Sequence, residues 1–261
     1  MLAATQLIGV CVAMVALSLS GEEPPPQHAL ALAAIAGLAG VMGLAAFYAA
    51  LAVGPMSLVA PAVAAIGSAL PAAVGLLGGD HLTPVQLTGL AAAVLAVVIV
   101  SGAGQEGVTS RFRPAALGRI AAAGLGFASF FVLMDAAAAQ GAGPWWSILA
   151  ARSAPLIVLA LIIGARVSGR TIEGRTTRQP GGSRSRSVIP LIAIAGMADV
   201  GGNAFFLLAN QQVPFSIAAV VSSLYPVTTA LLAWTILGER IGRWQAVGVA
   251  VALAGVALLS F

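Results

Sequence analysis

Nine runs of about twenty mostly apolar residues follow one another along this chain, at 2–20, 29–53, 57–78, 84–103, 115–138, 145–163, 188–210, 214–237 and 243–261. A helix of that length, rising about 1.5 Å per residue, matches the roughly 30 Å of hydrocarbon in a bilayer. The joints carry residues that end helices: GEEPPPQH, VGPMS, GGDHLTP, GAGQEGVTSRFRP, QGAGP, QQVP and LGERIGR. Strands of a membrane barrel would alternate apolar and polar residues over about ten positions, and nothing here alternates. Composition agrees, with 60% hydrophobic and 8% charged residues against about 25% charged in soluble domains. The sequence predicts an all-α integral membrane protein with nine transmembrane helices. Residues 1–20 lack a basic start and are apolar for too long to be a signal peptide, so they read as the first span.

The net charge of +4 does not point to nucleic acid. Every basic residue is an arginine, and Arg166, Arg170, Arg175, Arg178, Arg184 and Arg186 fall in the single stretch 164–187, rich in Gly and Ser and free of aromatics. Basic loops beside spanning helices set orientation. If every run crosses, the loops 104–113, 164–187 and 239–243 share one side and hold ten arginines. The opposite loops hold Glu22, Glu23, Asp80 and His81 and no arginine. The arginine side is expected to be cytoplasmic, in a multi-pass protein of the plasma membrane, with Met1 inside and Phe261 outside.

An internal repeat organises the chain. AIAGLAGVMGLAAF at 34–47 matches AIAGMADVGGNAFF at 193–206, an offset of 159 that holds without a gap to Ser101 and Ser260. Pro55 and Ser57 match Pro214 and Ser216, and Gln86 and Gly89 match Gln245 and Gly248. A weaker match at offset 147 joins LAATQLIG near the start to LAARSAPL. The division that follows is a first repeat at 1–103 with four helices, a connector at 104–114, and a second repeat at 115–261 with five. An odd number of helices per repeat inverts one copy relative to the other, a transporter architecture with its substrate site near the midplane.

Apart from Arg243, the first residue of the last run, four charges fall within the runs: Arg119 near a membrane edge, then Asp135, Arg152 and Asp199. A charge at the centre of a span costs about 2.5–3.5 kcal/mol, so it is expected to face a bundle interior or a wet cavity. Asp199, Asn203, Phe206 and Asn210 recur at i, i+4, i+7 and i+11, one narrow helical stripe. The sister stripe offers Gly40, Leu44 and Phe47, so the polar side belongs to the second half. Arg152 is expected at a depth similar to Asp199, with Asp135 as a second candidate partner. Either an Asp–Arg pair merely locks helices, or one of the acids binds substrate or a coupling proton. Ser222, Ser223 and Tyr225 precede Pro226, which lacks a backbone donor. Tyr225 is a candidate path-lining residue, and the serines either line the path too or satisfy the backbone locally. Trp145, Trp146 and Trp244 read as interfacial anchors, and Gly37, Gly43, Gly196 and Gly202 as sites of close helix contact.

As a set, GPMSLVAP with VPFSIAAV, SSLYPVTTALLAWTILGER with QAVGVAVALAGVALL, and the partner segment GGDHLTPVQLTGLAAAVLAVVIVSG resemble the EamA family of the drug/metabolite transporter superfamily. The resemblance covers essentially the whole chain. It implies ten helices as five plus five inverted, with the first family helix missing here, and transport of small metabolites. Family members are often drawn with both ends cytoplasmic, whereas the arginine count would put both ends of a ten-helix version outside. The expected function is a secondary transporter moving small metabolites or drug-like molecules by alternating access, with export the expected direction. The alternative is a non-transporting structural or sensory subunit. No enzyme is expected: His28 and His81 both lie in loops, and there is neither HExxH nor an Asp-rich motif. No cofactor or metal is expected, because GxxxxGK[ST] is absent and Cys11 stands alone. The expected partners are a small-molecule substrate and the lipid bilayer, not nucleic acid; homo-oligomerisation is left open.

Overall fold

The computed structural model describes residues 2–54, 56–102, 114–170, 188–224, 227, 228, 231, 232, 235 and 242–259. The described secondary structure is helical throughout: α1 (Leu2–Ser20), α2 (Gln27–Leu51), α3 (Met56–Leu77), α4 (Pro84–Gly102), α5 (Pro114–Ala139), α6 (Pro144–Arg170), α7 (Val188–Asn210), α8 (Phe215–Ser222) and α9 (Arg243–Leu259). Gln27–Leu51, Ala116–Ala139 and Pro144–Ile162 are long and apolar enough to cross a membrane by length and composition. Shorter apolar helices occupy Thr5–Ser20, Ala62–Leu77, Pro84–Val100 and Arg243–Leu259. Most of the expected run 214–237 beyond α8 lies outside the described residues, as do the connector and the arginine stretch from 171 to 187.

The helix ends follow local chemistry. Pro84, Pro114 and Pro144 each open a helix, where a missing N–H costs nothing. Gly21, Gly79 and Gly141 follow the ends of α1, α3 and α5 with φ of 67°, 108° and 88°. Only glycine takes that left-handed turn without strain. Two of the turns close with a bond spanning five residues, Asp80 N–H to the Gly75 carbonyl and Ala142 N–H to the Ala137 carbonyl, each 3.0 Å. Thr83 and Gln86 form a reciprocal capping box at the start of α4, at 3.0 and 3.2 Å. At the repeat-equivalent start of α9, Gln245 accepts from the Gly242 N–H at 3.0 Å. One boundary differs from expectation: α6 continues to Arg170 rather than ending at 163. Ala165, Arg166 and Arg170 are good helix formers, so helix propensity carries on past the apolar run.

The described residues pack as two compact units, one drawn from 1–38 with 136–205 and the other from 39–135 with 206–261. Each therefore takes segments from both halves of the sequence. In the first unit α1 packs on α6, and Gly196 of α7 comes within 3.0 Å of Ile8, measured from the position a side chain would take. Pro155 inside α6 has no N–H for the Ala151 carbonyl four residues earlier. α2 approaches that carbonyl closely at Gly37, which has no room for any side chain.

In the second unit, Val59, Val63, Ile120 and Ala123 form one core with Phe47 against it. Gly43 and Gly126 meet face to face where α2 crosses α5. The other core joins α3, α4, α8 and α9 through Ala93, Ala96, Val97, Val220 and Ala252. Here α4 and α9 run antiparallel. A methyl at Gly89 would lie 2.8 Å from the Gly255 carbonyl oxygen and 3.1 Å from Leu259 N. A methyl at Gly248 would lie 3.0 Å from Val100 N. Offset by 159, Gly89 corresponds to Gly248 and Val100 to Leu259, so these are one contact made twice about a local two-fold. Of the glycines expected at close contacts, Gly202 is an exception, with nothing within 4 Å.

Large apolar side chains face outward on several helices, among them Leu19, Met42, Leu77 and Phe205. That is the surface hydrocarbon would cover. Trp244 is exposed at the start of α9, as an anchor would be.

Candidate functional site

The first polar cluster lies in the first unit. Arg152 Nη1 is 2.6 Å from Asp199 Oδ2 and donates to Gln6 Oε1 at 3.0 Å. One guanidinium nitrogen thus ties α1, α6 and α7 together. The sequence makes room for it at Gly9, where any side chain would come within 3.2 Å of the arginine stem. Gln6 is buried, and the arginine side chain is 12% exposed, whereas the Asp199 side chain is 53% exposed. The cation is enclosed and the carboxylate is not. An ion pair with one open partner can hold helices and still offer acceptor oxygens to something else.

Asp135 is not the partner of Arg152. Its Oδ1 accepts from Asn210 Nδ2 at 2.7 Å, in the second unit. Asp135 is four residues from the end of α5 and Asn210 ends α7, so this pair belongs at a helix end, whereas Asp199 and Arg152 lie well inside their helices. Asn210 Oδ1 is buried and has no partner among the described residues. One turn back along both helices, Phe131 meets Phe206 edge to face with centroids 4.9 Å apart, and Phe215 lies 6.4 Å from Phe206.

The other expected site residues are dispersed. Asn203 is half-buried, with no hydrogen-bond partner among the described residues. Phe47 occupies the repeat position of Phe206 but packs with Phe127, centroids 6.4 Å apart, among α2, α3 and α5. Ser223 Oγ donates to the Ala219 carbonyl at 2.8 Å, the local use of such a hydroxyl. Ser222 is half-buried, and Tyr225 lies outside the described residues. Arg119 donates to the Ala49 carbonyl at 3.1 Å, near the C-terminus of α2, where a cation is favoured.

Two acids read only as loop charges turn out to hold helix starts. Glu22 accepts from the N–H groups of Trp145 and Trp146 at 3.1 and 3.3 Å, and its carbonyl accepts from the Trp146 indole at 3.2 Å. Asp80 accepts from the Ser216 N–H at 2.8 Å. Among the described residues no three His, Cys, Asp or Glu side chains come together to hold a metal ion.

The profile of the EamA-like transporter family matches residues 116–261, more than half of the chain. No curated protein matches the sequence significantly. A crystal structure, described only as that of a protein, aligns with 98% of this chain and 85% of its own, at a TM-score of 0.68 and 19% identity. A likeness at that identity concerns the fold.

Proposed function

The chain belongs to the EamA-like transporter family, and from that membership we propose a secondary transporter that exports small metabolites or drug-like molecules across the plasma membrane by alternating access. The observation that carries the site is the Arg152–Asp199 pair with its open carboxylate. An acid kept within apolar helices costs free energy, and such residues mark transport or proton paths more often than surfaces. Asp199 takes substrate or a coupling proton, and Arg152 with Gln6 positions it.

The antiparallel packing of α4 on α9 supports an inverted repeat, because the two helices are sequence copies related by a local two-fold. The repeats are 1–103 and 115–261, and alternation between them moves the substrate. The arginine-rich stretch 164–187 faces the cytoplasm in this reading.

The test is a resistance screen in cells expressing the wild type or Asp199→Asn at equal membrane levels. Wild type is expected to raise tolerance to at least one toxic amine, amino-acid analogue or dye, and the variant to lose that gain. A wild type indistinguishable from empty cells across the panel, with the protein in the membrane, contradicts export.

A further inference from the structure

Among the described residues Asp135 is a carboxylate without a countercharge. It lies within Ala116–Ala139, a helix long and apolar enough to cross a bilayer. Among the described residues no arginine pairs with it: Arg152 is held by Asp199 and Gln6, and Arg119 by the Ala49 carbonyl. Its donor is the amide of Asn210. Making that bond turns Asn210 Oδ1 the other way, and there it is buried and accepts from no described residue. The pair therefore presents acceptors only, the second carboxylate oxygen and the amide oxygen. The amide oxygen is buried with no donor among the described residues, and Asp135 is half-buried.

Aromatic rings complete the setting. Phe131 and Phe206 stand four residues before Asp135 and Asn210 on the same two helices, one turn back, and Phe215 adjoins Phe206. Phenyl faces attract cations, more strongly where water is excluded.

We propose that Asp135 and Asn210, with the Phe131–Phe206 pair one turn back, form a binding site for an organic ammonium. Such a ligand supplies a charge opposite to that of Asp135, an N–H donor for its second carboxylate oxygen, and an apolar body to lie against Phe131, which is half-buried where Phe206 and Phe215 are buried. A neutral solute lacks the charge and an anion is repelled by it. A hard metal ion would need several more oxygen ligands than this pair offers. The site names a substrate class for the transport reading above and rests on that reading only for the step of carrying the ligand across.

The full chain, purified in detergent, is titrated with 2-phenylethylammonium and with 2-phenylethanol as a neutral counterpart, and both are offered to sealed vesicles containing the protein. Saturable binding of the ammonium is expected, without displacement by the alcohol. Asp135→Asn should weaken it about tenfold or more, the scale on which removing a charged partner acts. Asn210→Leu removes the amide that holds Asp135 without changing the charge and should weaken it severalfold. Equal affinity of the wild type for ammonium and alcohol overturns the site, as does unchanged ammonium affinity in both variants. Asp135-dependent binding without flux into vesicles supports the site and contradicts transport. Flux that ignores Asp135→Asn supports transport and overturns the site.

Discussion

The carboxylate of Asp80 lies 2.8 Å from the backbone N–H of Ser216, 136 positions away in sequence. Pro214 stands at the N-cap of α8 and offers no side-chain cap, so an acid from the α3–α4 turn serves instead. Glu22 does the same for α6 from the α1–α2 turn. Each acid satisfies free N–H groups at a helix start and sits at the positive end of the helix dipole.

Removing either cap should therefore destabilise the fold without touching the Arg152–Asp199 pair. Asp80→Ala and Glu22→Ala are each expected to cost about 1–2 kcal/mol, read by unfolding in detergent. Asp80→Asn should cost less, because an amide oxygen still accepts. Unchanged unfolding of Asp80→Ala would mean that the bond contributes nothing.

Gly37 and Gly202 should respond in opposite directions to alanine. At Gly37 a methyl overlaps the Ala151 backbone, which cannot rotate away, and the loss should exceed the 1–3 kcal/mol typical of overpacking. At Gly202 nothing lies within 4 Å, and alanine should gain up to about 1 kcal/mol in helix propensity. Thermal unfolding of the two variants checks both signs; equal effects would refute the packing at α2 and α6.

The local two-fold between α4 and α9 makes a sharper prediction. Gly89→Val and Gly248→Val disturb the same contact from opposite ends, so they should destabilise by similar amounts, about 1–3 kcal/mol each. One severe and one silent variant, measured by the same unfolding assay, would contradict the symmetry.

The helices were readable because their punctuation is local: proline at the start, glycine past the end, about twenty apolar residues between. The Arg152–Asp199 pair was readable too, since two opposite charges in apolar runs at similar depth have few other partners. What escaped was long-range and polar. Nothing near Glu22 or Asp80 reveals that each reaches a distant helix start. Charge alone makes Asp135 a second candidate partner for Arg152, yet its neighbour is an amide, Asn210, because the ends of α5 and α7 come together there. Phe47 and Phe206 share a repeat position but not an environment, since repeats fix the helix and not its neighbours. The end of α6 ran past the apolar stretch because hydropathy marks where lipid would end, and helix propensity does not stop there.

Arg152→Gln leaves the Asp199 carboxylate without its cation and should destabilise by about 1.5–3 kcal/mol, the range for hydrogen bonds to charged groups. Adding Asp199→Asn to it should recover part of that loss, because the unpaired charge is then gone. Arg152→Lys should fall between, since one guanidinium nitrogen contacts both Gln6 and Asp199 and an ammonium has donors enough for both. A double variant no more stable than Arg152→Gln in unfolding assays would show the two residues to be energetically independent.

We propose that Asp199 does more than lock helices. The most direct measurement is flux into sealed vesicles, under an imposed pH gradient, of whichever compound the resistance screen selects, comparing wild type with Asp199→Asn at equal content of folded protein. The expected result is gradient-driven accumulation by the wild type and none above background by the variant. Equal accumulation by both would contradict the claim and leave the Arg152–Asp199 pair as a structural tie alone.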